Sequence, residues 1–571
     1  MARLNSRHSA LKILSCKFGG LGKHAPLSPE GAEDMCNFQI LPGGILKTRM
    51  GYKLEKHFSS DQKVRGIWQG TFQGNSLFFA VVGNTVYRLD GESMTESVAG
   101  TLSTSEGLVH FCIYMDDLYL LDGENIYHYF PWPNRFDIVE AYVPLYGYQW
   151  NPTSYGDVNE DINLLTPRLR VHYYNSNAST VFRLPYYADT VDVVKADGKP
   201  IVNYTFTPKT DKITLNTATP PAVLEVGFTV GLNEEIRQKI LAAQLSFIYS
   251  RGNENKLLLW GNDARVFCTR PVTDYMLSSC HALYPEASSL YFCADDVLFL
   301  GDSANPVTAM CPLYDTVLAF APDRIWSLTF EKGEVLTTLA AKDIGCASPR
   351  GAISYQNSIL AVMGNDIYRI TASVARPEQL SFERLSVGLR GKISSDFAKR
   401  AELFWNVGDG EIWMRDPENQ AGDVLVWNTE SEEWYRFSNI PASFFFKNSE
   451  GFGFAQNNDI FVFDRSHNKD SDTPISAFYR SSYLDFGTPD VPRRSTRAYL
   501  YFGGNEEEGS VLFETERNSK IFDLIPPDSN ANTHVQGMRF GSHRYRFLRF
   551  TISVYASNPV EFYRLDIHTM P

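Results

Sequence analysis

Positive charge is in deficit: 53 Lys and Arg stand against 66 Asp and Glu, for a formal net charge of −13. A protein that grips nucleic acid by its phosphates needs a dense Lys/Arg face, and this balance argues against one. Cysteine is sparse, with eight residues at 16, 36, 112, 268, 280, 293, 311 and 346 and no CxxC pair. That spacing speaks against a disulfide framework or a clustered zinc site, and for buried free thiols in a reducing compartment. No run approaches ~18 apolar residues, so no membrane-spanning helix is expected. The basic opening MARLNSRHSALKILSC has only a short apolar stretch, interrupted by Lys12, which is a poor signal peptide. GxSxG, HExxH, the Walker A loop and a GxGxxG following a strand are missing. The chain is therefore not expected to be an enzyme, and no catalytic, cofactor-binding or metal residue is assigned.

Aromatic residues are abundant, 13% of the chain with 30 Tyr and 38 Phe, and such side chains suit a pleated, half-buried surface. One short phrase occurs twice. AVVGNTVYRL (80–89) returns as AVMGNDIYRI (361–370), six of ten residues identical. Each copy reads as strand, tight turn, strand, because Gly and Asn tolerate the positive φ that hairpin turns require. Variants turn at Asp122-Gly123, Pro322-Asp323, Asp409-Gly410 and Asn457-Asn458, and a longer one spans 424–437. Recurrence of one template marks a repeat architecture, and a radial arrangement leaves only short protected edges. The expected fold is all-β: a β-propeller of about six to eight blades over 59–150 and 246–468, at roughly 40–45 residues per blade. Stacked sandwiches are the alternative.

Between the two blocks, NPTSYGDVNEDINLLTP (151–167) reads as a linker. It leads into strands punctuated by Asp197-Gly198 and ending in VLEVGFTV (223–230). A small inserted β-sandwich with a following helix is expected over 151–245, the helix capped by Asn233 with Ile236, Ile240, Leu241, Leu245 and Ile248 along its apolar stripe. Residues 469–571 alternate without the blade template and read as a C-terminal β-sandwich. Residues 1–58 form an N-terminal arm and first strands. Arg493, Arg494, Arg497, Arg539, Arg544, Arg546 and Arg549 make the C-terminal end locally basic. That pattern suits solvated faces or subunit salt bridges better than a nucleic-acid stripe.

Three weaker constellations carry residue types that could do chemistry. Cys280-His281 with Cys293 could sketch a metal site, but adjacent ligands rarely reach one ion. Asp157, Glu160 and Asp161 lack EF-hand spacing. Asp116-Asp117 and Asp295-Asp296 sit where hairpins begin, the usual place of solvated carboxylates. Asp-boxes, WD repeats and kelch signatures are missing, which speaks against a sialidase-type propeller and against a generic propeller scaffold for cellular partners.

The segment FGGLGKHAPLSPEGAEDMCNFQILPGGILKTRMGYKL (18–54) carries Phe18 to Leu21, Pro26-Leu27, Asp34 to Phe38, Gly43-Gly44, Arg49 and Tyr52 in order. It resembles the opening of the tail nozzle, or tail tubular protein B, family of short-tailed bacteriophages. DIGCASPRGAISYQNSILAVMGNDIYRI, GDVLVWNTESEEWYRF and YLDFGTPDVPRRSTRAYLYF are similar to later parts of the same family. The resemblance implies a structural virion protein, made in the host cytoplasm and located in the tail. Its copies would form a homo-oligomeric ring, a hexamer in the family, that continues the DNA ejection channel. It would dock onto the head-to-tail adaptor near the portal and hold tail fibres or spikes, with genomic DNA passing through without specific binding. It further implies an N-terminal docking arm, comprising Phe18, Gly19, Gly20, Leu21, Arg49 and Tyr52, ordered by a neighbour. The alternative is a tail-borne glycan-binding or depolymerase propeller using aromatic loops and paired acids.

Overall fold

The computed structural model describes residues 12–22, 31–91, 93–149, 157–158, 160–251, 254–261, 263–373, 376–389, 391–419, 421–447, 451–466, 468–487, 490–504, 508–525, 533–540 and 544–570. The chain divides into two compact units. One comprises 1–64, 311–313 and 343–571, and the other 65–310 and 314–342. Among the described residues the architecture is all-β and of the propeller type. Six four-stranded antiparallel meanders serve as blades, and a seventh blade is the first four strands of a ten-stranded sheet that runs on into the C-terminal sandwich; two β-sandwiches accompany them.

The duplicated phrase is a duplicated hairpin. In the first blade, strands Asn75–Val82 and Thr85–Leu89 set Ala80 opposite Tyr87 and Val81 opposite Val86. In the fifth, Ser358–Met363 and Asp366–Ser373 set Ala361 opposite Tyr368 and Val362 opposite Ile367. Gly83 and Gly364 open the two turns with φ of 56° and 61°. The pattern has one cause: the first strand of each copy is buried on both faces, from Leu77 to Val82 and from Ser358 to Met363, and the glycine supplies the left-handed backbone.

The copies do not map one to a blade. The Asp409-Gly410 turn and the 424–437 hairpin lie in the same sheet, Glu402–Asn406, Glu411–Arg415, Val424–Asn428 and Glu433–Phe437. The third blade shows no copy of the template. A helix, Asp274–His281, stands between its strands Arg265–Thr269 and Phe292–Phe299, and the Thr273 hydroxyl accepts from the Met276 amide at its start.

The last blade takes its fourth strand from far upstream. Phe444–Lys447, Phe452–Gln456 and Asp459–Asp464 are followed in the sheet by Gly51–His57. That strand then leads directly into the first blade at Val64–Phe72.

The inserted module is a two-sheet sandwich. Arg168–Tyr174, Val223–Thr229 and Thr190–Ala196 are consecutive neighbours in one sheet, and Val181–Ala188, Thr210–Leu215 and Tyr204–Phe206 form the other. Leu169, Tyr173, Phe182, Ile213, Val226 and Phe228 pack between them. The helix that follows is Glu234–Leu241, with the Asn233 side chain accepting from the Ile236 amide. It is shorter than its apolar stripe suggests. Leu245 and Ile248 belong to the strand Leu245–Arg251 instead, where Leu245, Phe247 and Tyr249 alternate toward the blade core.

The C-terminal sandwich is completed by the N-terminal residues. Ala32–Cys36 pairs with Thr473–Ser481, and Lys12–Cys16 and Ile45–Thr48 both pair with Glu561–Met570. The sandwich and the blades of that unit share one apolar core.

Gly364 isolates the cost of the turn conformation, because a Cβ added there meets nothing within 4 Å. Gly364→Val is expected to lower stability by about 1–2 kcal/mol, and Gly364→Asn by distinctly less, measured by urea unfolding.

Candidate functional site

The six residues expected to form a docking arm are not an exposed arm: each is buried in the chain's own unit. Phe18 is 2% exposed and meets the rings of Tyr479 and Phe550 edge-on, with centroids 5.3 and 6.4 Å away. Gly19 is buried as well. Gly20 lies on the backbone of the sixth blade, where a Cβ would stand 2.6 Å from the Trp434 carbonyl oxygen. Its amide donates to Glu433 Oε2 (2.7 Å), and the Leu21 amide donates to the Trp434 carbonyl (2.7 Å). At Gly22, φ is +62° and a Cβ would come within 2.6 Å of Gly388 Cα. The segment needs no neighbour to order it, because Phe18 and Leu21 find apolar pockets in their own chain and the glycines permit the backbone contact between them.

Arg49 organises the other half of the motif. Its side chain is 1% exposed. Nε donates to Asn37 Oδ1 (2.9 Å). Nη1 donates to Asp470 Oδ1 (2.8 Å) and the Met50 carbonyl (2.9 Å), and Nη2 to Asp470 Oδ2 (2.6 Å) and the Ser438 carbonyl (2.9 Å). Asn37, at φ 58°, donates from Nδ2 to the Ser476 carbonyl (2.8 Å) and accepts from the Ser438 amide (2.8 Å). Asn439 Nδ2 donates to Asp470 Oδ2 (2.8 Å). Tyr52 donates to the Asn439 carbonyl (3.1 Å) and packs edge-on against Phe454, Phe461 and Phe463. The motif residues from Phe18 to Tyr52 thus form one junction between N-terminal strands, the last two blades and the start of the C-terminal sandwich.

The residues weighed for chemistry are engaged elsewhere. His281 Nε2 lies 2.8 Å from the Ala287 carbonyl, and Cys280 is fully buried in its helix. Burial pushes the Cys293 thiol up to about 12. All eight cysteines are buried and free of disulfides. Glu160 accepts from the Tyr142 hydroxyl (2.8 Å) and the Leu145 amide (2.6 Å), Asp161 pairs with Arg270, and the Asp157 side chain lies outside the described residues. Asp117 accepts from the Tyr119 hydroxyl (2.9 Å) and lies 3.1 Å from His128 Nε2. Burial pushes its carboxyl up, but these hydrogen bonds outweigh that and hold it below the usual range. Asp116 is in a turn at φ 60°, Asp295 is exposed and Asp296 accepts from Arg270 Nε (2.6 Å). Among the described residues, no three His, Cys, Asp or Glu side chains group as metal ligands would. Pro26 and Leu27 lie outside the described residues.

Two buried polar clusters give no signal in the linear sequence. In the first two blades, Arg65 donates to the carbonyls of Gly83 (2.8 Å), Thr104 (2.7 Å), Glu106 (2.5 Å) and Gly107 (2.7 Å). Asp122, reached through the same Thr104, accepts from the hydroxyls of Ser103 (3.1 Å), Thr104 (3.0 Å) and Tyr127 (3.2 Å). In the sixth blade, Glu411 accepts from Trp413 Nε1 (2.9 Å) and from the Tyr435 hydroxyl, all three being buried. Burial raises the Glu411 carboxyl to about 7. Only the long-range register, which sets Trp413 opposite Val426 and Val426 opposite Tyr435, brings Tyr435 within reach of Glu411.

No family model matches the chain, and no curated protein matches it. Among solved structures it is similar to the Neurospora crassa Pan2 WD40 domain at 9% identity, covering 74% of this chain and 97% of that one, with a TM-score of 0.35. The AfRom2 CNH domain is similar at 8% identity over 73% of this chain and 98% of that one, TM-score 0.36. A chain of a mitotic checkpoint complex is similar at 8% identity over 73% and 92%, TM-score 0.34. Likeness at this level says nothing of what the chain binds.

Arg49→Ala is expected to cost about 3–5 kcal/mol in chemical denaturation, because it leaves Asp470 buried without its cation. Lys17→Ala, at an exposed position, is expected to cost under about 0.5 kcal/mol.

Glu411 generates a pH prediction. Its folded pKa lies above its unfolded one, so the unfolded chain releases the proton first as pH rises. Stability is therefore expected to fall by about 2–3 kcal/mol between pH 5 and 7.5, then to level off. In Glu411→Gln, where the Tyr435 hydroxyl can turn to accept from the amide, that part of the slope is expected to vanish in unfolding curves taken across this range.

Proposed function

We propose that the chain is a structural protein of a short-tailed phage tail. In this reading its copies form a homo-oligomeric ring, a nozzle that continues the DNA ejection channel and docks onto the head-to-tail adaptor. The observation that supports it best is where the motif of the resemblance falls. Phe18–Leu21, Asn37, Arg49 and Tyr52 are the residues that fasten the first strands to the last blades and the C-terminal sandwich. A sequence pattern carried by such a junction reports a shared architecture, not a shared ligand.

The charge balance suits a conduit. With −13 on each chain, six copies would carry roughly −78 formal charges, and like charge keeps a phosphate polymer moving where a basic wall would hold it. Six is the family's number; the reading needs only a closed ring.

Electron microscopy of the purified protein, and immunogold labelling of the phage particle that encodes it, test this reading. Rings with a central opening and label at the tail are the expected result. Monomers alone together with unlabelled particles would overturn it. So would turnover of host-surface polysaccharide by the isolated chain, which would favour the depolymerase alternative.

A further inference from the structure

One outer face of the C-terminal sandwich is aromatic and cationic in a chain that is acidic as a whole. In its sheet, Lys12–Cys16, Glu561–Met570, Arg494–Gly503 and His534–Arg539 are neighbours in that order. Alternation decides which side chains leave the core. Ala498, Leu500, Met538, Leu565 and Ile567 are buried in it, so Arg497, Tyr499, Tyr501, Arg539, Arg564 and His568 stand on the opposite side of the sheet. The ladder arranges them in rows. Arg497 lies between His568 and Arg539, Tyr499 between Asp566 and Gly537, and Tyr501 between Arg564 and Val535.

Side-chain contacts agree with this placement. The Tyr499 and His568 ring centroids are 5.1 Å apart, and a Cβ added at Gly537 would stand 3.4 Å from Tyr499 Cε1. The Arg564 guanidinium lies over the Tyr501 ring, 4.4 Å from its centroid, and Arg497 Nη1 donates to the Tyr499 hydroxyl (3.4 Å). Charge on the face is lopsided. Among the described residues its one carboxylate is Asp566, which is buried and pairs with Arg564 (3.1 Å). Arg497 and Arg539 are both exposed, and neither pairs with a carboxylate among the described residues. Arg549, by contrast, is held by Glu33 (2.6 Å) and Glu514 (3.1 Å). In the linear sequence Arg497 and Arg539 are 42 positions apart; the register sets them directly opposite one another, a like-charge pairing that costs stability unless an anion offsets it.

We propose that this face binds single-stranded nucleic acid without sequence preference. Bases stack on Tyr499 and on the Tyr501–Arg564 pair, and phosphates pair with the guanidinium forks of Arg497 and Arg539. Tyr499 and Tyr501 are two residues apart on one strand, about 6.8 Å, twice the ~3.4 Å rise of a stacked nucleic-acid strand. That spacing suits splayed, unpaired bases and gives a duplex nothing to stack on. A sugar polymer would ask for amides or free carboxylates to take its hydroxyls, and the face offers Asp566 alone, already held by Arg564. The acidity of the whole chain does not oppose so local a site. The proposal does not rest on the ring, and in a ring such a face would have to stay clear of the opening, where it would hold the polymer.

The test uses the full chain and a fluorescein-labelled oligothymidylate dodecamer, read by fluorescence anisotropy at low salt. Saturable binding is expected, weakened at least about tenfold for an abasic oligomer of the same length, which keeps the phosphates and loses the stacking. The double variant Arg497→Glu, Arg539→Glu, its fold checked by thermal melt, is expected to bind at least about tenfold more weakly. Lys199→Glu with Lys332→Glu makes the same change of charge at exposed positions in the other unit, and is expected to bind within about twofold of the unaltered chain. Four results would each overturn the proposal: no saturation up to millimolar oligomer, equal binding of the abasic oligomer, an equal loss in both double variants, or stronger competition by polygalacturonate than by unlabelled oligothymidylate. The abasic oligomer decides the matter on the unaltered protein, so no variant need fold for the proposal to fail.

Discussion

One buried ion pair holds the architecture of its unit in register. Arg49 and Asp470, with side chains 1% and 5% exposed, would be a poor source of stability in isolation, since stripping water from two charges costs as much as their attraction returns. Here the guanidinium also reaches Asn37, the Met50 carbonyl and the Ser438 carbonyl. Every partner comes from a different strand or loop. The pair therefore acts as a registry device: any slip of Gly51–His57 along the last blade, or of Ala32–Cys36 along the sandwich, leaves charges unsatisfied in a dry core.

The two units solve the problem of burying polar groups in the same manner. Arg65 is spent on backbone carbonyls of turns, and burial lowers its pKa. Asp122 collects hydroxyls, and burial, which pushes its carboxyl up, is outweighed by the hydrogen bonds it accepts. Such groups fix loops between strands whose own ladders are already complete. Charge in these interiors is structural, and the surface is left to carry the acidic excess.

The blades were legible because their information is local. A hairpin needs alternation and a turn residue, both visible within a dozen positions, and the Gly83 and Gly364 copies state them almost identically. What was not legible is pairing at long range. Nothing in the sequence of Ala32–Cys36 names Thr473–Ser481 as its neighbour, so residues that look like a loose arm turn out to be sandwich strands. For the same reason Phe18 and Arg49 read as docking residues, although their partners Tyr479 and Asp470 lie in the same chain. The stripe from Ile236 to Ile248 shows the converse failure: the period of 3.6 and the period of 2 coincide over a short apolar run, and the break at Ala242–Ala243 carries no Gly or Pro to mark it.

The strand that completes the last blade has a consequence for biosynthesis. Gly51–His57 leaves the ribosome early, yet its antiparallel partner follows more than 400 residues later, with His57 opposite Asp459. The same delay holds for Ala32–Cys36. Until those partner strands are made, these segments present unpaired backbone edges, a state prone to pairing with other nascent chains. Closure of the last blade thus waits for Asp459–Asp464, and a chain interrupted before them would retain finished blades with the edge of Gly51–His57 unpaired.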